Sequence, residues 1–256
     1  MAMICIPIKC EELSSLKKIR ASTFKKADLV EIWVDSMPTV KPEKIMRRFR
    51  KPLIIVNKGK EEHGSFCGTE KERIEILARY AAAGVAYVDL NVNTPKHYLR
   101  EIFAKKNKRT KIILSLHDFT KTPALAVLKK ARDKAFRAGA HLFKAAVFAR
   151  TYEDNLTILR FLAESRRARK PCVAHCMGKK GRISRLLAPL FGSYIIYAAP
   201  EIRSSDKVAF ARGGRKVGGS WVTRSGRGRI SGIARATAPG QFTVKEYEKF
   251  ISLLKI

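Results

Sequence analysis

The sequence predicts a single α/β domain over residues 1–256, a (β/α)8 or TIM barrel. Eight strand-length apolar runs alternate with helical patterns along the chain, the mark of parallel strands joined by crossover helices. The length suits one such barrel of about 250 residues. No Gly-rich turn follows the first run, where Cys10, Glu11, Glu12 and Leu13 stand, so a dinucleotide-binding doubly wound sheet fits poorly.

The first strand is read at Ile4–Ile8, with no hairpin ahead of it to close the barrel floor, and a helix over Ser14–Lys25 follows. Strands are then expected at Leu29–Asp35, Leu53–Lys58, Ala86–Asn91, Lys111–His117, His141–Phe148, Cys172–Met177 and Tyr194–Ala198. The helices between them are expected at Lys41–Phe49, Glu70–Ala83, Pro95–Lys106, Pro123–Ala138, Tyr152–Arg167 and Ser184–Phe191, with Thr243–Leu254 closing the chain. Gly84 and Gly139 stand where helices need a left-handed residue to stop. Between the last strand and the last helix, residues 201–235 carry nine Lys/Arg and seven Gly around Phe210 and Trp221. No helical or strand period runs through them, so they read as a basic, flexible loop inserted on the active-site face.

Composition narrows the class. At 46% hydrophobic and 29% charged, the chain buries a core rather than staying disordered. No run of 18 apolar residues predicts a membrane span, and the first residues lack the pattern of a secretory signal. Five scattered cysteines suit free thiols in a reducing cytoplasm. The net charge of +31 is extreme, and its long-range field attracts anionic substrates or nucleic acid. Removing the nine basic and two acidic residues of 201–235 leaves most of that charge in place.

In such a barrel the reactive groups sit at the C-terminal strand ends. Glu31, Trp33 and Asp35 share one face of the second strand, Lys58 ends the third, Asp89 and Asn91 the fourth, and Ser115 and His117 the fifth. The run from His141 to Phe148 holds one lysine, and alternation places Lys144 with Leu142 and Ala146 on a single face. Small, aliphatic neighbours of that kind lower a lysine's pKa and free its amine as a nucleophile. His175 and Met177 share the inward face of the seventh strand, and Cys172 and Cys176 point outward, which argues against a metal site.

Two long runs, Ser115 to Pro123 (SLHDFTKTP) and Met177 to Arg185 (MGKKGRISR), closely resemble type I 3-dehydroquinate dehydratases. Phe191-Gly192-Ser193 and Thr237 to Gln241 (TAPGQ) do so too, in that family's order. The resemblance covers nearly the whole chain outside 201–235. It implies a hydro-lyase of the shikimate pathway that converts 3-dehydroquinate to 3-dehydroshikimate through a Schiff base, with no cofactor and no metal. Lys144 then matches the Schiff-base amine, His117 the general acid–base, and Glu62 its orienting carboxylate. Arg185 matches the residue that holds the substrate carboxylate, completed by Gln241 and Thr237. Glu31 and Lys58 match residues that contact the ring hydroxyls, and Met177 one that packs on the ring. The partner implied is the small-molecule substrate; a homodimer is left open.

The departures from the family pattern fall on hydroxyl recognition. Trp33 stands where the family usually has Arg, Lys58 where it has Arg, His63 within a Glu-Gly-Gly turn, and Asn91 where Glu is usual. They keep open another Schiff-base lyase or aldolase acting on a different hydroxyketone. The net charge keeps open a barrel that binds nucleic acid.

Overall fold

A computed structural model describes residues 2–9, 12–14, 21–200, 214–217, 220–223 and 240–253. Eight parallel strands form its frame: β1 (Met3–Lys9), β2 (Leu29–Trp33), β3 (Leu53–Val56), β4 (Tyr87–Asn91), β5 (Lys111–Asp118), β6 (Leu142–Phe148), β7 (Cys172–Met177) and β8 (Ile195–Tyr197). Each pairs with its sequence neighbour from β1 to β7, and β8 returns to pair with β1. The ring closes where Ser193, just ahead of β8, bridges to Cys172 of β7 and Tyr194 N donates to Cys172 O at 2.8 Å. The architecture is the expected (β/α)8 barrel.

Seven α-helices are described: α1 (Pro42–Met46), α2 (Glu70–Ala83), α3 (Lys96–Lys105), α4 (Leu125–Arg137), α5 (Asp154–Arg167), α6 (Arg182–Leu187) and α7 (Val244–Leu253). The expected first helix lies largely outside the described residues, and its visible end, Ala21–Phe24, is one 3-10 turn. Helix α2 shows why the sequence stops and starts where it does. Thr69 Oγ1 accepts from Glu72 N, while Glu72 Oε2 accepts from Thr69 N at 2.7 Å, a capping box that satisfies two free amides. Gly84 then ends the helix in the left-handed region.

Strand alternation builds two cores. Val30, Ile32, Ile55, Val88, Phe143 and Ala145 face outward and pack under the helices. Leu29, Ile54, Ile113, Leu142, Val173 and Ile195 face inward and plug the lower half of the barrel. The next inward layer is polar, and it sits at the C-terminal half of the strands.

Within 201–235 the expectation of an unpatterned loop needs correcting. Gly214–Val217 (β9) and Ser220–Thr223 (β10) pair antiparallel, with Trp221 opposite Lys216. Two residues separate these strands, the spacing of a tight hairpin. The rest of the insertion lies outside the described residues.

Candidate active site

The polar layer is built by register. Ser115 of β5 stands opposite Lys144 of β6, and His117 opposite Ala146, so Lys144 and His117 point into the same interior. Together with Glu31, Lys58, Glu62 and Arg185 they line one cavity of about 360 Å³.

Lys144 is 5% exposed. Its Nζ donates to Glu31 Oε2 and Asp89 Oδ2, both at 3.1 Å, and lies 4.5 Å from the centre of the Tyr197 ring. Burial alone would strip its proton, but the Asp89 and Glu31 carboxylates outweigh it and hold the pKa well above that of an ordinary lysine. This corrects the expectation of a lowered pKa. The resting group is an ammonium, because carboxylates from β2 and β4 reach it across the barrel.

His117 Nδ1 meets Glu62 Oε1 at 2.9 Å. Burial pushes the Glu62 carboxyl up, yet the His117 hydrogen bond and the Lys58 ammonium prevail and hold it at about 2. An ionised Glu62 only accepts, so Nδ1 carries the proton and Nε2 is left basic. Burial, reinforced by Lys58, lowers the His117 pKa below its ordinary value. Phe119 stacks parallel to the imidazole at 5.9 Å and steadies the ring plane.

Glu62 is delivered by the tight turn after β3. Gly64 N donates to Gly59 O, and a Cβ on Gly64 would stand 1.8 Å from the Lys58 carbonyl oxygen, so no other residue fits there. His63 takes the left-handed conformation (φ 59°) and packs edge-on against Phe119. Lys58 is fully committed to protein: its Nζ donates to Glu62 at 3.1 Å and to Asp89 and Ser115 at 3.2 Å. It therefore ties the His117–Glu62 pair to the Lys144–Asp89 pair.

Arg185 lies buried in the short helix α6. Ser184 beside it is pinned twice, its N donating to Asn155 Oδ1 and its Oγ accepting from Cys176 N. Among the described residues neither Nε nor Nη2 of Arg185 has a hydrogen-bond partner. Burial draws its pKa down to about 10. A guanidinium so held is a site for an anion, since a bidentate carboxylate would satisfy the unused donors.

Gln241 lines the same cavity. Its segment is anchored where Ala199 N donates to Phe242 O at 2.7 Å and where a Cβ on Gly240 (φ 83°) would meet Gly178 O at 2.6 Å. Met177 is buried at the rim, while Thr237 lies outside the described residues.

Asp35 does not reach the cavity. Strand β2 ends at Trp33, and Asp35 turns away to accept from Ser65 N. Asn91 likewise caps its own turn, accepting from Asn93 N. Asp89, read from the sequence at the end of the fourth strand, joins the cluster as expected, and so does Tyr197, which the sequence reading missed. Asp89 links both lysines, and the Tyr197 hydroxyl donates to Glu31 Oε2 at 2.8 Å. Counting inward positions by twos along β8 from Ile195 would have found Tyr197.

Fold and cavity together define the class: a (β/α)8 barrel enzyme with its reactive groups gathered at the C-terminal mouth. The chain belongs to the type I 3-dehydroquinase family, whose model matches residues 4–208. The 3-dehydroquinate dehydratase of Methanosarcina barkeri is 29% identical over 252 residues, covering 94% of this chain and 91% of that protein. That of Methanococcus maripaludis is 32% identical over 204 residues, covering 79% and 92%. Among solved structures, the 3-dehydroquinate dehydratase of Geobacillus kaustophilus superposes with a TM-score of 0.76 at 22% identity, covering 100% of this chain and 91% of that one. This last likeness shows the fold.

Proposed function

We propose that this enzyme dehydrates 3-dehydroquinate to 3-dehydroshikimate through an iminium on Lys144. The observation that carries the reading is one cavity that brings together a buried lysine, a carboxylate-paired histidine and a guanidinium with two donors unpartnered among the described residues. Arg185 takes the substrate carboxylate and thereby aims the C3 ketone at Lys144. Of the three ammonium hydrogens, two leave with the ketone oxygen as water and one stays on the iminium nitrogen. Positive charge is conserved in this exchange. The Glu31 and Asp89 carboxylates that hold the ammonium at 3.1 Å thus serve the iminium equally.

The iminium acidifies the C2 hydrogen. His117 Nε2, unprotonated because Nδ1–H faces Glu62, removes it and leaves an enamine. The enamine electrons expel the C1 hydroxyl, which takes the proton back from His117 and departs as water. Hydrolysis of the conjugated iminium returns the Lys144 amine and the product. Positioned proton transfer of this kind contributes about 10²–10⁴ in rate. Lys58 acts here as a positioning residue rather than a substrate ligand, since all three of its contacts are to protein.

Trp33 favours a narrower second reading, an altered hydroxyl-binding rim. Its Nε1 donates to Glu31 Oε1 at 3.0 Å, which occupies a carboxylate expected to bind ring hydroxyls. Among the described residues no helix is long and apolar enough to cross a membrane, which accords with work in the cytoplasm. The test is a dehydration assay read by ultraviolet absorbance, because the product enone absorbs and its precursor does not. Turnover by the native chain and none by Lys144→Ala supports the reading. No turnover by the folded native chain, with retro-aldol cleavage of another hydroxyketone, overturns it.

A further inference from the structure

The net charge of +31 is not spread evenly over the barrel. Turns at the N-terminal strand ends, the floor, are 47–52, 106–110, 138–141 and 168–171, and they carry nine Lys/Arg with no Asp or Glu, with Lys105, Lys111, Arg137, Arg166 and Arg167 on the helix and strand ends beside them. Turn 25–28 adds Lys25, Lys26 and Asp28, and turns 84–86 and 188–194 carry no charge. The described turns at the mouth, although longer in total, hold seven Lys/Arg and five Asp/Glu. Among the described turns the excess therefore lies on the end away from the cavity, apart from the basic segment 201–235.

Two ordinary accounts fall short of this. Lys or Arg in a last helical turn complements the helix dipole, but that effect is confined to the last turn. Arg50, Lys108, Arg109 and Arg169 all lie beyond their helix ends. Steering of an anionic substrate would place the charge at the mouth. A seven-residue strand separates floor from mouth by about 20 Å, more than twice the screening length of about 8 Å at physiological salt.

The floor charges are also unspent. Lys26, Lys105 and Lys170 pair with Glu248, Glu101 and Asp133. Arg50, Lys108, Arg109, Arg166, Arg167 and Arg169 are exposed and make no ion pair among the described residues. Beside them stand aromatic rings. Phe191 and Tyr194 are among the few exposed large apolar side chains, and both lie in the floor turn 188–194. Arg166 packs against Gly192 between them, its Cδ 2.8 Å from where a Cβ would stand. Lys111 lies 5.9 Å over the Tyr87 ring on the same end. The local field is already felt by His141, whose pKa is lowered by burial and then by Lys106 and Lys111.

We propose that the barrel floor binds single-stranded nucleic acid, its unpaired Arg and Lys side chains following the phosphates and the exposed Phe191 and Tyr194 rings stacking on bases. A cationic face that also offers rings for stacking is the combination that holds a single strand without regard to sequence. A lipid surface would use the same charges but not a base-stacking geometry, so the two are separable. This surface is independent of the catalytic reading and involves none of its residues.

The test is fluorescence anisotropy of a labelled 20-nucleotide poly-U strand against the full chain, repeated across a salt series. Two triple variants with equal charge change are compared, Lys108→Glu/Arg109→Glu/Arg167→Glu on the floor and Lys41→Glu/Lys121→Glu/Lys179→Glu at the mouth. The floor triple is expected to lose at least about tenfold in affinity and to flatten the log–log salt slope by about 2, at about 0.7 for each phosphate no longer neutralised. The mouth triple should lose less than about threefold, as exposed charges beyond a screening length do. Phe191→Ala should cost about fivefold or more while leaving the salt slope unchanged, because stacking releases no counterions. Equal losses from the two triples overturn the proposal. So does tighter binding to phosphatidylserine vesicles than to poly-U, or no effect of Phe191→Ala. Thermal unfolding of each variant establishes that it is folded.

Discussion

Arg185→Met separates stability from function in a way few substitutions do. The guanidinium is buried, with Nε and Nη2 unpartnered among the described residues, and its pKa is drawn from 12.5 down to about 10. At about 1.36 kcal/mol per pKa unit, the charged form is disfavoured in the folded chain by about 3 kcal/mol. Methionine fills similar volume without the charge, so the substrate-free protein should gain stability, by up to about 3 kcal/mol, or lose none. The bound state behaves oppositely. Loss of a bidentate charge-assisted contact to a carboxylate costs about 2–5 kcal/mol, or about 30-fold to several-thousand-fold in Kd. Native protein at 100 times Kd of 3-dehydroshikimate should be stabilised by about 2.7 kcal/mol, and the variant at the same concentration hardly at all. Urea titrations with and without that product read both quantities. A variant destabilised by about 2 kcal/mol or more without ligand, or one with unchanged ligand stabilisation, would refute the reasoning.

Three further outcomes rest on the same network. Glu62→Gln removes a group that raises the His117 pKa, so the acid limb of kcat/KM should move to lower pH as kcat falls, and a limb that moves upward contradicts the pairing. Lys58→Met leaves the Glu62 and Asp89 carboxylates buried without their shared ammonium, and should cost about 3–5 kcal/mol by denaturant titration, with Lys58→Arg retaining part of it. His117 and His175 both have lowered pKa values in the fold, so the unfolded chain binds more protons as pH drops from about 6.5, and stability should decline in that direction. Glu62, held at about 2, and Asp89, also lowered, add to the loss below about pH 4, where the unfolded carboxyls protonate first. Melting temperatures across about pH 4–8 check the sign.

Periodicity made most of the barrel legible. Helix α2 runs over the residues that its capping threonine and terminal glycine delimit, and Lys144 shares its face with Leu142 and Ala146 as alternation requires. The charge state of Lys144 was not legible. Its partners come from 113 and 55 residues away, and only the closed cylinder brings them to 3.1 Å. A strand read alone shows apolar neighbours and suggests a neutral amine, whereas the assembled layer supplies two carboxylates. Tyr197 was missed for the same reason, since its partner Glu31 is cross-barrel. Asp35 was misplaced because β2 turns out of the barrel after Trp33, two residues earlier than its apolar run suggests. The β9–β10 pairing was hidden because its strands are only four residues long and lie in a stretch rich in Gly and Arg.

Everything chemical here turns on Lys144 becoming bonded to the substrate. Borohydride added to enzyme and 3-dehydroquinate, followed by intact and peptide mass spectrometry, tests this most directly. The account predicts a reduced adduct confined to the peptide containing Lys144, lost when the lysine is replaced by alanine. A chain that turns over substrate yet yields no adduct, or yields one on another lysine, contradicts it.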